Sequence, residues 1–286
     1  MKKALITGIN GQDGSYLSEY LLSLGYEVHG IVRRHSVAEN QNHRLVKNGT
    51  DNSINSYYGD LLDYPSLVRV VSDVMPDEIY NLGAMSHVRV SFDMPSFTIQ
   101  TNALRLTTPM NPVSPYGCSK VMGYNLVRHY RHAYKLHACN GILFNHESPR
   151  RGTNFVTNKV VKGAVAIKKG LENKLELGNM DSYRDWGHSK DYVKAMHMII
   201  SHSTPEEFIV ATGETHSVRD LCETVFSKLD LDYRKYIVQN PKYMRPEELK
   251  YLKGDPSKAK NILGWEPEYT FSSMIDEMIE RWEREL

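Results

Sequence analysis

Met1-Lys2-Lys3-Ala4-Leu5-Ile6-Thr7-Gly8-Ile9-Asn10-Gly11-Gln12-Asp13-Gly14 opens the chain. Residues 4–7 read as a short buried strand. Three glycines follow at a spacing of three, Gly8, Gly11 and Gly14, and an amphipathic helix over residues 15–24 stops at Gly25. A strand, a glycine turn and a helix make a phosphate cradle. The first glycine permits the tight turn, the second lets backbone approach a pyrophosphate, and the third lets the helix pack close to the sheet. The helix start supplies free N–H groups and the positive end of its dipole. Glycines alone would fit any turn; the strand–turn–helix context makes this a dinucleotide site rather than a plain βα turn.

Outward from the cradle, a second strand over residues 27–32 ends in Arg33-Arg34-His35-Ser36. NAD-binding folds place an acidic residue here for the ribose 2′-hydroxyl, whereas Arg and Ser suit a 2′-phosphate. NADP is therefore the expected cofactor; the alternative is a solvated basic loop. Residues 40–55 are polar and patternless and read as a loop. A short strand over residues 56–58 runs into Gly59-Asp60-Leu61, which puts Asp60 at the C-terminal edge of the sheet. After a helix over residues 65–74, a fourth strand over residues 78–81 enters Leu82-Gly83-Ala84-Met85-Ser86-His87. Small residues at a strand end admit a cofactor, and Ser86 suits a ribose or a substrate. His87 reads as a loop histidine.

The next helix starts near Pro95 and is still running at Leu106, where Thr107-Thr108-Pro109-Met110-Asn111-Pro112 interrupts it. A parallel crossover needs a helix and then a return strand, and no β-branched run follows. Ser114-Pro115-Tyr116-Gly117-Cys118-Ser119-Lys120 then opens a long helix to about Tyr134. Tyr116 and Lys120 are four apart and share one helix face. An ammonium beside a phenol lowers the phenol's pKa from about 10, so such a tyrosine can take a proton from an alcohol as hydride leaves its carbon.

Composition narrows the class. A chain of 286 residues, 41% hydrophobic and 24% charged, can bury a full core. A net charge of +1 offers no general field for nucleic acid or an anionic membrane. Cys118, Cys139 and Cys222 are odd in number and lack metal spacing, which points to a reducing compartment, the cytoplasm. Lys2-Lys3 with the apolar residues 4–6 imitates a signal peptide only briefly, and no apolar run is long enough to span a bilayer. His129, His132, His137 and His146 lack partners at ligand spacing, so no metal site is expected.

Further along, residues 138–144 read as a buried strand leading into a polar stretch, residues 145–152, at a strand's C-terminal end. Helices are expected over residues 154–169, from Lys190 with Asp191 as its cap, and over residues 218–229, 255–263 and 271–286. Lys162 and the pair Lys168 and Lys169 are expected to be solvated. Short strands are expected over residues 175–178 and 208–211, the latter returning to the main sheet. The fold class is α/β, a doubly wound parallel sheet of Rossmann type with a smaller α/β substrate domain. The expected division is residues 1–150 and 185–213 for the cofactor, and residues 151–184 and 214–286 for a nucleotide sugar.

These residues resemble the extended short-chain dehydrogenase/reductase family. Within it, residues 7–16, 29–34, 140–152 and 184–188 look like the GDP-mannose 4,6-dehydratases. The long block Asn140-Gly141-Ile142-Leu143-Phe144-Asn145-His146-Glu147-Ser148-Pro149-Arg150-Arg151-Gly152 is the most specific of them. The resemblance implies an NADP-dependent lyase that converts GDP-mannose to GDP-4-keto-6-deoxy-mannose. The C4 hydroxyl is oxidised with Tyr116 as base, the ketone acidifies the C5 proton, water leaves from C6, and hydride returns to C6. It further implies that Gly8, Ile9, Asn10, Gly11, Gln12, Asp13, Arg33, Arg34, His35, Ser36, Asp60, Leu61, Leu82, Gly83, Ala84, Met85, Ser86, Lys120, His146 and Arg151 hold NADP. Asn145, Lys159, Arg184 and Arg245 would hold the GDP-sugar, Arg and Lys suiting a diphosphate on charge and geometry. A homodimer or homotetramer is implied as well.

One departure bears on mechanism. The family carries a Ser/Thr-Ser/Thr-x-Glu element on the strand before the Tyr-x-x-x-Lys helix, and nothing of that kind stands between Leu106 and Tyr116. The missing part is the rest of a helix and a strand, on the order of 30 residues or more. The chain therefore reads as an abridged form of a longer protein. Alternative readings are an epimerase or 4-keto reductase of the same family, or an NADP- and GDP-sugar-binding subunit impaired in catalysis.

Overall fold

The structure, a computed structural model, describes residues 1–33, 45, 49, 51–84, 114–244 and 248–286. The expectations on Arg34, His35, Ser36, Met85, Ser86 and Arg245, and on residues 107–113 at the interrupted crossover, lie outside the described residues. The chain divides into two compact units, Met1–Asn140 with Ile200–Glu206, and Gly141–Ile199 with Glu207–Leu286.

In the first unit the chain runs β1 (Lys3–Thr7), α1 (Gln12–Ser23), β2 (Glu27–Val32), β3 (Ile54–Tyr58), α2 (Tyr64–Val74), β4 (Glu78–Asn81) and α3 (Pro115–Tyr134). The four strands form one parallel sheet in the order β3-β2-β1-β4. β1 is central, and its Ala4, Leu5 and Ile6 are buried, as expected of a parallel strand covered on both faces. On one face Val70 and Val74 of α2 close over Leu5 and Ile31. The chain builds outward from β1 to β2 and β3, then returns to β1's other side for β4. That reversal leaves a crevice at the C-terminal ends of β1 and β4, where open α/β sheets bind ligands.

α1 starts at Gln12, three residues before the expected start, because Gly11 already acts as its N-cap. β4 has a neighbour on one edge only among the described residues, and its side chains alternate: Glu78 and Tyr80 are buried, while Ile79 is 50% exposed. α3 is 20 residues long yet buries only Ser119 and Val121.

The second unit runs β5 (Asn140–Leu143), β6 (Asn145–Glu147), α4 (Val156–Lys168), β7 (Leu175–Leu177), β8 (Tyr183–Arg184), β9 (Trp186–His188), α5 (Ser189–Ser201), β10 (Glu207–Val210), β11 (His216–Ser217), α6 (Val218–Lys228), β12 (Ile237–Gln239), β13 (Tyr251–Leu252) and α7 (Phe271–Glu285). Its core is helical. Val161, Ala164 and Val165 of α4 pack with Leu221, Val225 and Phe226 of α6 and with Met274, Ile275 and Met278 of α7. Spacings of three and four place each set on one helix face. A capping box of Ser217 and Asp220 starts α6.

Four expectations need correction. The strand expected over residues 138–144 spans only Asn140–Leu143 and is half-exposed, because it pairs with β10 alone among the described residues. Among the described residues β10 pairs with β5 and not with the four-stranded sheet. Asp191 does not cap α5. It lies inside the first turn, and its Oδ2 accepts from the backbone N–H groups of Glu268 and Tyr269, both at 3.0 Å. Lys162 is not simply solvated, since its ammonium lies 4.8 Å from the centroid of the Trp282 ring.

His188 anchors the start of α5. Its Nδ1 accepts from the Lys190 N–H at 3.0 Å, so the proton sits on Nε2, which donates to Glu277 at 3.1 Å. Its ring stacks on Tyr269 at 4.0 Å, and Lys190 Nζ bridges Glu277 and Tyr269, each at 2.9 Å. Burial pushes His188 down to about 4 from an ordinary 6.5, against the pull of Glu277, whose charge is shared with Lys190. Between these values the unfolded chain takes up a proton that the native chain refuses, so acidification favours unfolding. Native stability should fall by about 3 kcal/mol as pH drops from 6.5 to 4. Urea unfolding across that range measures it, and His188→Phe should flatten the slope; an unchanged slope in that variant would refute the assignment.

Candidate active site

The cradle in the first unit is tight. Gly8 ends β1 with φ of +70°, and a Cβ there would meet the Gly83 backbone at 2.9 Å. A Cβ on Gly14 would meet the Gly8 carbonyl oxygen at 2.4 Å, so α1 sits directly on the turn. The Gly11 N–H donates to that same carbonyl at 2.9 Å. As N-cap, Gly11 has no side chain to engage the first N–H groups of α1, which leaves the helix start suited to an anion. Ile9 is fully buried and fills the space over β2 that Gly30 leaves, where a Cβ would come within 2.5 Å of its Cδ1.

Thr7 fixes the opposite lip. Its hydroxyl donates to Asn81 Oδ1 at 2.6 Å and accepts from the Gly83 N–H at 3.0 Å. A Cβ on Gly83 would touch Leu61 at 2.9 Å. The structure thus brings Gly8, Leu61 and Gly83 together at the strand ends. The Asp60 carboxylate accepts from the Leu62 N–H at 3.0 Å. Arg33 is exposed at the end of β2, and the half-buried Leu82 and Ala84 flank Gly83. Asn10 and Asp13 belong to the same turn, where Gln12 Nε2 donates to Asp13 at 3.3 Å. Thr7 was not singled out from the sequence; a hydroxyl residue at a strand end gives no local sign of a partner 76 residues away.

On α3, Ser114 caps the helix by accepting from the Gly117 N–H at 3.0 Å, and Pro115 opens it. Tyr116 and Lys120 follow on one face, with the Lys120 ammonium 5.4 Å from the centroid of the Tyr116 ring. Desolvation draws the Lys120 pKa downward, yet the side chain remains exposed. Solvent contact weighs more, since an ammonium within reach of water is stabilised in its charged form. A cationic Lys120 would assist the phenol beside it.

The second unit holds the remaining candidates. β6 pairs in parallel with β9, setting Asn145 opposite Trp186 and His146 opposite Gly187. His146 Nδ1 donates to the Phe144 carbonyl at 2.7 Å, and its ring lies 4.6 Å from that of buried Tyr192. Arg151 is held at 2.9 Å from Glu147, its guanidinium stacked 3.5 Å from the Phe155 ring centroid. Asn158 links that turn to α7: its Nδ2 donates to the Arg151 carbonyl and its Oδ1 accepts from Trp282 Nε1, both at 2.6 Å.

Lys159 Nζ donates to the Glu176 carbonyl at 2.6 Å, and burial lowers its pKa against a weaker pull from the Glu176 carboxylate. Arg184 pairs with Glu248 and donates to the carbonyls of Tyr183 and Leu249 at 2.7 and 2.8 Å. A shallow cavity of about 310 Å³ lined by Met180, Arg219, Tyr233, Arg234, Ile237 and Gln239 contains none of the residues singled out from the sequence.

A glycine cradle at the switch point of a parallel sheet, and a tyrosine–lysine pair on one helix face, are the marks of a Rossmann-type protein of the short-chain dehydrogenase/reductase class. Solved structures agree on the fold: the dTDP-glucose 4,6-dehydratase of Bacillus anthracis in complex with NAD superposes with a TM-score of 0.80 at 20% identity, over 99% of this chain and 97% of that one. Sequence relatives are more specific. GDP-mannose 4,6 dehydratase 1 of Arabidopsis thaliana is 43% identical over 321 aligned positions, covering 98% of this chain and 89% of the relative. The GDP-mannose 4,6-dehydratase of Vibrio cholerae is 43% identical over 345 positions, covering 97% and 93%. A sequence profile described as GDP-mannose 4,6 dehydratase matches residues 5–108 and 104–278. The chain belongs to the GDP-mannose 4,6-dehydratase family.

The comparisons also bear on the interrupted crossover. Alignments of 321 and 345 positions exceed the 286 residues of the chain, so both relatives have residues opposite gaps in it. The two profile matches overlap at residues 104–108, beside the stretch in which the sequence offers no return strand. Among the described residues no helix is long and apolar enough to cross a membrane.

Proposed function

We propose that this chain binds NADP and GDP-mannose and acts as a GDP-mannose 4,6-dehydratase, forming GDP-4-keto-6-deoxy-mannose. The observation that carries the reading is the Tyr116–Lys120 pair on one face of α3, in a chain of this family. The cradle fits a dinucleotide: Gly8 and Gly14 leave no room for a Cβ, and Gly11, the N-cap of α1, carries no side chain of its own over the helix start. Gly8 to Asp13, Leu61 and Leu82 to Ala84 would line its path, with Arg33 to Ser36 toward a 2′-phosphate. Asp60, Met85, Ser86, Lys120, His146 and Arg151 complete the proposed set. The choice of NADP over NAD rests on that basic cluster.

When bound, the nicotinamide supplies a reversible hydride acceptor. Tyr116 takes the proton of the C4 hydroxyl, and Lys120 stabilises the phenolate that does so. Asn145, Lys159, Arg184 and Arg245 hold the GDP group. In this reading residues 1–150 and 185–213 serve the cofactor, and residues 151–184 and 214–286 the nucleotide sugar. Exposed Leu126, Tyr130 and Tyr134 stand four apart on α3, an apolar stripe that suits a second copy in a homodimer or homotetramer. Three free cysteines suit the cytoplasm.

Elimination of water needs a further acid/base for the C5 proton and the departing C6 hydroxyl. The family places a Glu there, and residues 85–113 contain none. This favours a second reading, an NADP- and GDP-sugar-binding subunit impaired in catalysis. Purified chain incubated with NADP and GDP-mannose separates the two by product mass. A keto sugar lighter by one water establishes the dehydratase; binding without loss of water establishes the impaired subunit.

The cradle has its own test. An alanine at Gly8 meets both a left-handed φ and the Gly83 backbone. Gly8→Ala should lower stability by about 2 kcal/mol and weaken NADP binding, as titration calorimetry would show. Unchanged affinity would remove the cofactor from this turn.

A further inference from the structure

Tyr243 has no place in the proposed chemistry, yet its position is over-determined. It ends the single helical turn Pro241–Tyr243, which Asn240 caps by accepting from the Lys242 N–H at 3.0 Å. Asn240 straps the turn to β7: its N–H donates to the Leu177 carbonyl at 2.8 Å and its Nδ2 to the Glu176 carboxylate at 2.9 Å. Gly178 completes the strap, since a Cβ there would lie 2.5 Å from the Tyr243 carbonyl oxygen. The ring so placed stands over the Lys159 ammonium, 3.9 Å from nitrogen to ring centroid. Tyr243 is 46% exposed, so core packing does not account for it.

A free lysine side chain has large rotamer entropy, about 2 kcal/mol, to lose when it grips an anion. Lys159 has lost much of it beforehand. One of its three N–H donors is taken by the Glu176 carbonyl, and the ring face of Tyr243 holds the charge from another side. An ammonium fixed in this way, with donors to spare, is preorganised for a phosphate oxygen.

We propose that Tyr243 is a positioning residue for nucleotide-sugar binding: its ring holds Lys159 against the Glu176 carbonyl, so affinity for the GDP group depends on an aromatic ring at position 243. The proposal rests on the reading of Lys159 as a GDP-sugar ligand. The phenol hydroxyl is not needed, because the attraction belongs to the ring face.

Titration of the NADP-loaded full chain with GDP, followed by calorimetry, tests both. Tyr243→Phe should bind GDP like the parent. Tyr243→Leu should weaken GDP about threefold to thirtyfold, raising KM for GDP-mannose in any turnover while leaving kcat unchanged. The effect should vanish in a Lys159→Met background, a coupling that loss of the turn's own structure would not produce. If Lys159→Met weakens GDP but Tyr243→Leu does not, or if the two losses simply add, the positioning role is wrong and the ligand reading stands. If Lys159→Met leaves GDP affinity unchanged, the ligand reading itself falls and the proposal with it. Should leucine loosen the turn in thermal melts, Tyr243→Met gives the same decision with a long apolar side chain and no ring.

Discussion

Replacing Tyr116 with phenylalanine should reduce oxidation at C4 by about a hundredfold to ten-thousandfold, the usual worth of a positioned proton acceptor. GDP-mannose affinity should hardly change, because the ring remains and only the hydroxyl is lost. The measurement is a single turnover: chain loaded with NADP is mixed with GDP-mannose, and absorbance of the reduced nicotinamide is followed. This isolates the first half of the reaction, so it is decisive whether or not the chain goes on to eliminate water. Lys120→Met should lower the same rate and move its dependence to higher pH, since the phenol would lose the neighbouring ammonium. A Tyr116→Phe rate within threefold of the parent would mean that another group takes the proton.

Asp185→Ala should be the most damaging change to the second unit. Asp185 is fully buried, and four hydrogen-bond donors surround its carboxylate. Oδ1 accepts from the Thr212 N–H at 2.8 Å and its hydroxyl at 2.7 Å, and Oδ2 from the N–H groups of Gly213 at 3.0 Å and Gly254 at 3.2 Å. One carboxylate thus joins the link between β8 and β9, the end of β10 and the segment after β13. Alanine leaves buried donors unpaired at about 1–3 kcal/mol each. The expected loss is about 4 kcal/mol or more, a large part of the stability of an ordinary domain. Asp185→Asn should cost less, since its carbonyl still accepts while its amide faces donors. Urea unfolding decides the matter; a loss under 1 kcal/mol for Asp185→Ala would show that water replaces the carboxylate.

The interrupted crossover and the exposed surfaces have one physical account. Ile79 on β4 is 50% exposed, α3 fully buries only Ser119 and Val121, and the aligned relatives carry residues opposite gaps in this chain. A parallel sheet strand that loses its neighbour loses ladder hydrogen bonds and the helix that covered its face. The product-mass experiment is therefore best run beside an intact mass of the purified chain.

Local spacing alone made the glycine turn and the placing of Tyr116 and Lys120 on one helix face readable. Gly8, Gly11 and Gly14 sit on one turn, Tyr116 and Lys120 one helical turn apart, and such geometry follows from the chain's own period. The four-stranded sheet was readable for a related reason: residues 4–7 and 78–81 are apolar or alternate in runs of strand length. Asp191 shows where this stops. An acidic residue at a helix start looks like a cap, but its carboxylate bonds Glu268 and Tyr269 instead. Thr7 on Gly83, Asp185 on Gly254, and Tyr243 over Lys159 lie equally beyond local reading. Each pairs residues far apart in the chain, and a hydrogen bond or ring contact of that kind depends on where the whole backbone travels. Residue type and spacing determined which groups could do the chemistry; only the tertiary path decided which neighbours hold them in place.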